Sequence, residues 1–194
     1  MKTIIHMLVT LSVIGVISGG VLSQLSGWAD PLIAEHRQRE TEAAIFEVQP
    51  EAKKYEKVED LAFDLYKVTD EEGNELGYAL PYEGNGFQGK IRLMVGVTND
   101  LGKVVGLRVL EQVETPGLGT KIVTDPSDKA NPEWFPGQFN GVITSPLITV
   151  VKNAKPSKDS EIMAITGATI SSKAVVDIIN SGIKELRSLK GEAN

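Results

Sequence analysis

A segment of small residues near the C-terminus has the clearest potential for chemistry. Thr166-Gly167-Ala168-Thr169 leads into residues 172–189, where apolar side chains recur at helical spacing. The start of a helix presents unpaired backbone N–H groups and a positive dipole, which suit a phosphate group. Because Gly167 and Ala168 leave access to the Thr169 hydroxyl, one interpretation is a phosphate ester on Thr169.

The same segment also has an ordinary structural interpretation. Thr166 and Gly167 would form a turn, and the hydroxyls of Thr169, Ser171 and Ser172 would cap the following helix. Short motifs are weak hypotheses without their structural context. The residues alone therefore leave both interpretations open.

A second segment, residues 114–120, is rich in glycine and proline and is typical of a turn-containing loop. The aromatic pair Trp134-Phe135 follows it. Because each of these rings must bury a large apolar area, packing in the core or under a loop is a better prediction for them than stacking on a ligand.

Composition excludes several classes of function. The 194 residues include no cysteine and two histidines, His6 and His36, and the net charge is −6. Iron–sulfur ligation, disulfide exchange, c-type haem attachment and thiolate-rich zinc sites are excluded, and the histidines lack metal-binding spacing. No basic field exists to attract nucleic acid, and no acid, base and nucleophile set of the hydrolytic kind is visible. Redox chemistry would have to come from an organic cofactor.

An apolar segment opens the chain. From Ile4 to Leu25 there are 22 residues without Asp, Glu, Lys or Arg, enough for a helix to cross a bilayer core of about 30 Å. Small residues at 18–20 leave the alternative of a cleaved signal peptide, but the run is long and Trp28 lies where an interfacial aromatic would anchor a retained helix. We expect a single-pass anchor at 1–28 in the cell (inner) membrane, with the large C-terminal part outside the cytoplasm.

The rest of the chain is predicted to form a stalk and one domain. Residues 29–50 are expected to form a polar stalk helix that begins at Asp30-Pro31, with the aspartate as N-cap. Residues 51–194 are expected to form one α+β domain, an antiparallel sheet with packing helices. Its strands and final helix are predicted at 63–68 paired with 76–80, 91–97 paired with 104–110, 147–151, and 172–189.

With its elements in this order, the sequence resembles the covalent FMN-binding domain family, found in the G subunit of the Rnf complex and the C subunit of the sodium-pumping NADH:quinone reductase. That family has a Ser/Thr-Gly-Ala-Thr motif, flavinylated on its last Thr by a flavin transferase, and this motif matches residues 166–169. Its Glu-Thr-Pro-Gly-Leu-Gly loop near the flavin matches residues 114–119. One departure is Met163, where the family often has an acidic residue.

The resemblance implies a covalent FMN on Thr169 and an antiparallel-sheet FMN-binding domain around it. The other cofactor-binding residues it implies are Thr166, Gly167, Ala168, Ser171, Glu114, Thr115, Gly117, Leu118 and Gly119. It also implies a relay of single electrons between other redox subunits of an Rnf-type complex, which couples ferredoxin and NAD to ion transport, and a flavin transferase as partner during maturation. Glycines in residues 114–119 would then permit close approach to a flat ring.

Two alternatives remain at this level. A flavinylated carrier of a sodium-pumping quinone reductase, or of another extracytoplasmic reductase, would have the same motifs and different partners. A flavin-free anchored scaffold domain would use the two motifs merely as turn and cap. Chain length favours the Rnf G subunit over its longer counterpart in the quinone reductase.

Overall fold

A computed structural model describes residues 2–59, 61 and 63–191 of the chain. The helices are α1 (Lys2–Val48), a 3-10 turn (Gly119–Ile122), α2 (Trp134–Gly137) and α3 (Thr169–Leu189). The strands are β1 (Lys54–Lys57), β2 (Tyr66–Thr69), β3 (Glu75–Asn85), β4 (Lys90–Thr98), β5 (Val104–Glu111), β6 (Thr149–Val151) and β7 (Glu161–Met163). The chain divides between Glu40 and Thr41 into two compact units.

The first unit is the N-terminal part of α1. Among the described residues, α1 is the one helix long and apolar enough to cross a membrane. Its large apolar side chains, such as Leu11, are exposed, which suits a lipid surrounding. The division of the chain into an anchor that ends at residue 28 and a domain that begins at residue 51 stays a prediction.

The predicted helix start at Asp30-Pro31 is wrong, because Pro31 lies inside α1. The Asp30 carboxylate accepts a hydrogen bond from the Ser26 hydroxyl, one turn earlier, at 3.2 Å. The Asp30 carboxylate therefore accepts from the preceding turn of the same helix and does not cap a new helix. The predicted end near Pro50 is confirmed, since the helix ends at Val48.

The second unit contains a five-stranded antiparallel sheet in the order β1-β2-β3-β4-β5. Both predicted hairpins are confirmed, and so is the α+β class. The first strand begins at Tyr66 rather than at residue 63, and β1 was not predicted, since all four of its residues are exposed and show no alternation. The short parallel pair of β6 and β7 was predicted only in its first strand.

The sheet buries a different set of residues on each face. On β4, residues 91, 93, 95 and 97 join the core cluster that contains the buried side of α3. Met94 points the other way and clusters with Ile45 and Val48 at the end of α1. The predicted apolar face of α3 is confirmed, because all of its residues are buried: Ala174, Val175, Ile178, Ile179, Gly182, Ile183 and Leu186. Burial of each large aliphatic side chain contributes about 1.5–3 kcal/mol.

Two glycines allow the end of α1 to lie directly on the sheet. Gly96 and Gly106 are paired across β4 and β5. A Cβ on Gly96 would lie 2.2 Å from the Val48 carbonyl oxygen, and one on Gly106 would lie 2.9 Å from the Val48 Cα. The Gln49 side-chain amide then donates to two strand carbonyls, at 2.9 and 3.1 Å. The last turns of α1 are thus part of the second unit.

Candidate functional site

The first turn of α3 has no side-chain cap. The helix begins at Thr169 with Ala168 as its N-cap residue, and no side chain caps its N–H groups within the described part of the chain. The interpretation in which Thr169 or Ser171 caps the helix is therefore wrong. An uncapped helix start leaves N–H donors and a positive dipole available to an anion.

The hydroxyls of this segment have different environments. Ser171 donates to the Glu114 carboxylate, and Ser172 donates to the Ala168 carbonyl at 3.0 Å while it accepts from the Ile165 N–H at 2.9 Å. Both serines are buried. A tertiary contact thus engages the Ser171 hydroxyl, and local backbone contacts engage that of Ser172.

Thr169 is different. It is half-buried, and its hydroxyl has no hydrogen-bond partner among the residues that the structure describes. The flanking Gly167 has φ +83°, a conformation that favours glycine, and its missing side chain keeps the approach to Thr169 open. Thr166 is exposed and lies outside the cleft that Thr169 borders. Thr169 therefore carries the one unengaged hydroxyl of this segment that a ligand in the cleft can reach, among the residues that the structure describes.

A cleft of about 320 Å³ adjoins Thr169, within the size range of small-molecule sites. Its lining consists of Phe87, Thr115, Leu118, Gly119 and residues 167–171. The fold thus brings the two predicted segments together, although Gly117 and Thr166 lie outside the lining. None of the lining side chains is ionisable, so the cleft offers a largely apolar surface beside the helix start.

Glu114 lies behind this cleft rather than in its lining. Its buried carboxylate accepts from the N–H groups of Phe87 and Gln88, at 2.8 and 3.0 Å, and from the Ser171 hydroxyl. A Cβ on Gly119 would lie 2.8 Å from the Glu114 Cβ, so only glycine fits there. One carboxylate therefore joins three segments: the loop after β3, the 114–119 loop and the first turn of α3.

Two residues of the cleft lining were not predicted from the sequence, Ile170 in the first turn of α3 and the aromatic residue Phe87. The available signal was an aromatic residue within a glycine-rich turn, Gly84-Asn-Gly-Phe-Gln-Gly89, between two predicted strands. Trp134 and Phe135, the aromatic pair weighed instead, pack against each other with ring centroids 5.8 Å apart. Phe135 is fully buried and Trp134 packs on the core, which confirms the prediction for that pair.

A larger groove of about 590 Å³ adjoins the cleft and shares Ile170 with it. The groove runs between the exposed side of α3 and the end of β3, and it contains Lys173 and Asp177. Near its edge, Tyr82 donates a hydrogen bond to Glu185, and this bond raises the pKa of Tyr82 to about 12. Within the described residues, no group of His, Asp or Glu side chains is placed to hold a metal ion.

The helix start and the cleft fit the chemistry of FMN, the cofactor that the sequence resemblance implies. An uncapped helix start with a reachable hydroxyl suits the phosphate, and a cleft with apolar and glycine walls suits a flat ring system. A Cβ on Gly119 would lie 2.8 Å from the Glu114 Cβ, and one on Gly167 would lie 3.2 Å from a Leu118 methyl group. The two glycines therefore allow the segments that line the cleft to pack closely.

Comparisons with known proteins show the family to which the chain belongs. A family model described as FMN-binding domain matches residues 86–184. The G subunit of the ion-translocating oxidoreductase complex of Methanosarcina acetivorans is 30% identical, over 98% of this chain and 98% of that protein. The G subunit of the proton-translocating ferredoxin:NAD(+) oxidoreductase complex of Clostridium ljungdahlii is 32% identical, over 90% and 87%.

Solved structures support the fold. The crystal structure of Shewanella oneidensis NqrC superimposes with a TM-score of 0.52 at 20% sequence identity, and covers 73% of this chain and 74% of that chain. The C subunit of the Na(+)-translocating NADH-quinone reductase of Parabacteroides distasonis gives a TM-score of 0.51 at 22% identity, over 68% of this chain and 74% of that chain. At these identities the likeness establishes a shared fold.

Proposed function

Because this chain belongs to the FMN-binding domain family, we propose that it is the electron-transferring G-type subunit of a membrane-bound, ion-translocating ferredoxin:NAD oxidoreductase. Similarity to two named G subunits over nearly the whole chain supports this proposal. The absence of an acid, base and nucleophile set from the sequence fits a protein that relays electrons and makes no bonds in a substrate.

The finer part of the proposal is that FMN is attached covalently through a phosphoester to Thr169. The observation that carries it is the free Thr169 hydroxyl beside the cleft, while Ser171 and Ser172 are committed to other contacts. The Thr169 oxygen forms the bond to the flavin phosphorus. The hydroxyl proton and the group that the phosphorus carried in its flavin nucleotide donor leave, so the protein gains FMN less one water. A flavin transferase would be the partner for this step.

The other residues position and shield the group. Backbone N–H groups in the first turn of α3 would hold the remaining negative charge of the phosphate. Leu118, Gly119 and Thr115 would form one wall of the flavin site, and Glu114 would hold that wall against α3. When bound, FMN supplies the single-electron redox chemistry, and the protein supplies its position and electrostatic surroundings.

The same proposal places the second unit outside the cytoplasm, anchored by α1 in the cell membrane. The length and apolar composition of the helix support the anchor. Lys2 precedes the apolar segment, and a basic residue on that side of the span supports a cytoplasmic location for it. The partners would be the other membrane and redox subunits of the complex.

Peptide mass spectrometry of the protein purified from its native membrane tests the attachment. We expect the added mass of FMN less water on the peptide that contains Thr169. Thr169→Ala should lose this mass and the yellow colour and keep the fold, whereas Thr124→Ala, at an exposed threonine outside both motifs and the cleft lining, should keep the mass and the colour. An unmodified native protein would overturn the proposal in favour of a flavin-free scaffold.

A further inference from the structure

Phe87 lies on a loop whose backbone is fixed and whose side chain is open. The Phe87 and Gln88 N–H groups donate to the Glu114 carboxylate, and the Gln88 side chain donates to the Thr115 hydroxyl at 2.8 Å. The Phe87 side chain is nonetheless 59% exposed. Hydrogen bonds therefore fix the loop backbone, and the Phe87 ring is exposed on it.

Glycines make this placement of the loop specific. The Gly86 N–H donates to the Gly89 carbonyl at 2.6 Å and closes the turn. A Cβ on Gly86 would lie 2.4 Å from the Glu114 Oε1, and one on Gly89 would lie 2.4 Å from a Val113 methyl group. The residues on both sides of Phe87 thus pack tightly on residues 113–115. This packing limits the motion of the loop that carries the ring.

The exposed ring belongs to an apolar rim around Thr169. Phe87, Leu118 and Ile170 all line the cleft or its mouth, and Leu118 and Ile170 are 46% and 60% exposed. Clustered exposed apolar side chains indicate a surface that something covers. A flat aromatic ligand joined to Thr169 through a phosphate and a flexible carbon chain could lie against this rim, and aromatic rings favour offset or edge-to-face contact.

We propose that Phe87 is a flavin-contacting residue, whose ring packs against the isoalloxazine ring of the FMN tethered at Thr169 and restricts its motion. This inference rests on the proposed function, since it needs FMN at Thr169. In this proposal the protein's own cofactor covers the apolar rim. The competing explanation is that another protein of the complex covers it.

The test compares full-length flavinylated proteins purified from native membranes in detergent. In Phe87→Ala, we expect loss of the visible circular dichroism of the flavin and stronger quenching of its fluorescence by iodide. Both changes would show that the isoalloxazine ring has lost a side chain that packs against it. Leu147→Ala, at a residue that is 49% exposed and lies outside the cleft lining, is the matched control and should behave like wild type.

A second pair of variants provides a test in case Phe87→Ala does not acquire flavin. In Phe87→Trp the introduced indole would contact the flavin, and we expect the fluorescence of that indole to fall several-fold in the oxidised protein, whereas the indole of Leu147→Trp should show little change. If Phe87→Ala carries no flavin, this pair decides. Unquenched fluorescence in Phe87→Trp overturns the inference.

The remaining outcomes separate this inference from the proposed function. Flavinylated Phe87→Ala with wild-type dichroism and iodide quenching overturns the inference and leaves the proposed function intact. If that variant also loses its partner proteins during purification, the rim is an interface within the complex, and the inference again fails. A wild-type protein without flavin by mass spectrometry contradicts the proposed function itself.

Discussion

Two hydroxyls at the start of α3 show how tertiary contacts select a reactive residue. Thr169 and Ser171 are two positions apart on the same first turn. Both residues line the cleft, but the Ser171 hydroxyl donates to the buried Glu114 carboxylate, 57 residues away in the chain, whereas the Thr169 hydroxyl has no hydrogen-bond partner among the described residues. Because a hydroxyl that donates to a buried carboxylate is both inaccessible and occupied, Ser171 supports the site and Thr169 remains the residue open to modification.

This selection could not be predicted from local sequence. The segment offered Thr166, Thr169, Ser171 and Ser172, and local rules favoured helix caps among them. The family resemblance pointed to Thr169, but the contact that occupies Ser171 comes from a distant loop. Phe87 was missed for a similar reason, since its place beside the cleft depends on hydrogen bonds to Glu114 across 27 residues.

Asp125 gives the second unit a dependence on acid pH. Its carboxylate is buried in the loop after the 3-10 turn, where it accepts hydrogen bonds from Ser127 and pairs with Lys121 at 3.0 Å. The Ser127 bonds and then Lys121 lower the pKa of Asp125 to about 2. Because the folded-state pKa lies below the unfolded value of about 3.9, this stabilisation is complete above that value and is lost as the pH falls toward 2.

We therefore expect Asp125→Asn to flatten the acid limb of the stability curve. Urea unfolding of both proteins between pH 5 and about 2 measures this, and the two curves should converge at the acid end. Glu133→Gln, which removes one exposed carboxylate nearby, serves as control and should retain the wild-type slope. An unchanged slope in Asp125→Asn would contradict the assignment.

At the scale of elements, the sequence pattern predicted what local periodicity controls. Alternation in residues 91–97 predicted β4 and its buried face, and helical spacing predicted the buried side of α3. Short elements without periodicity escaped, notably β1, which is held by pairing with β2 rather than by burial. The Asp30-Pro31 pair misled because local cap rules take no account of a helix that is already formed before it.

The contact between the end of α1 and the sheet is the element-level feature with the sharpest test. Gly96→Ala would place a methyl group 2.2 Å from the Val48 carbonyl, so the helix end must shift. We expect a loss of about 1–3 kcal/mol in the free energy of unfolding, as for other overpacked sites. Urea denaturation checks this against Gly137→Ala, where a Cβ meets nothing within 4 Å and the stability should hardly change. Equal stability of the two variants would mean that the contact is dispensable.

At the scale of the whole molecule, the two units divide the proposed tasks. The first unit holds the apolar helix that suits a membrane, and the second holds the cleft and Thr169. A tether of this kind keeps a carrier at high effective concentration near the other subunits of a membrane complex. This division predicts that the second unit folds without the first.

Two truncated proteins locate the boundary of that folding unit. A protein that starts at Thr41 keeps Ile45 and Val48 on the sheet, and we expect it to be soluble, monomeric and cooperative in urea unfolding. One that starts at Glu51, the boundary predicted from the sequence, loses both side chains and exposes the sheet face around Met94. Each lost side chain removes about 1.5–3 kcal/mol, so the shorter protein should unfold at markedly lower urea or aggregate. Equal urea midpoints and elution volumes for the two proteins would show instead that the domain begins at residue 51 and that the end of α1 only rests on it.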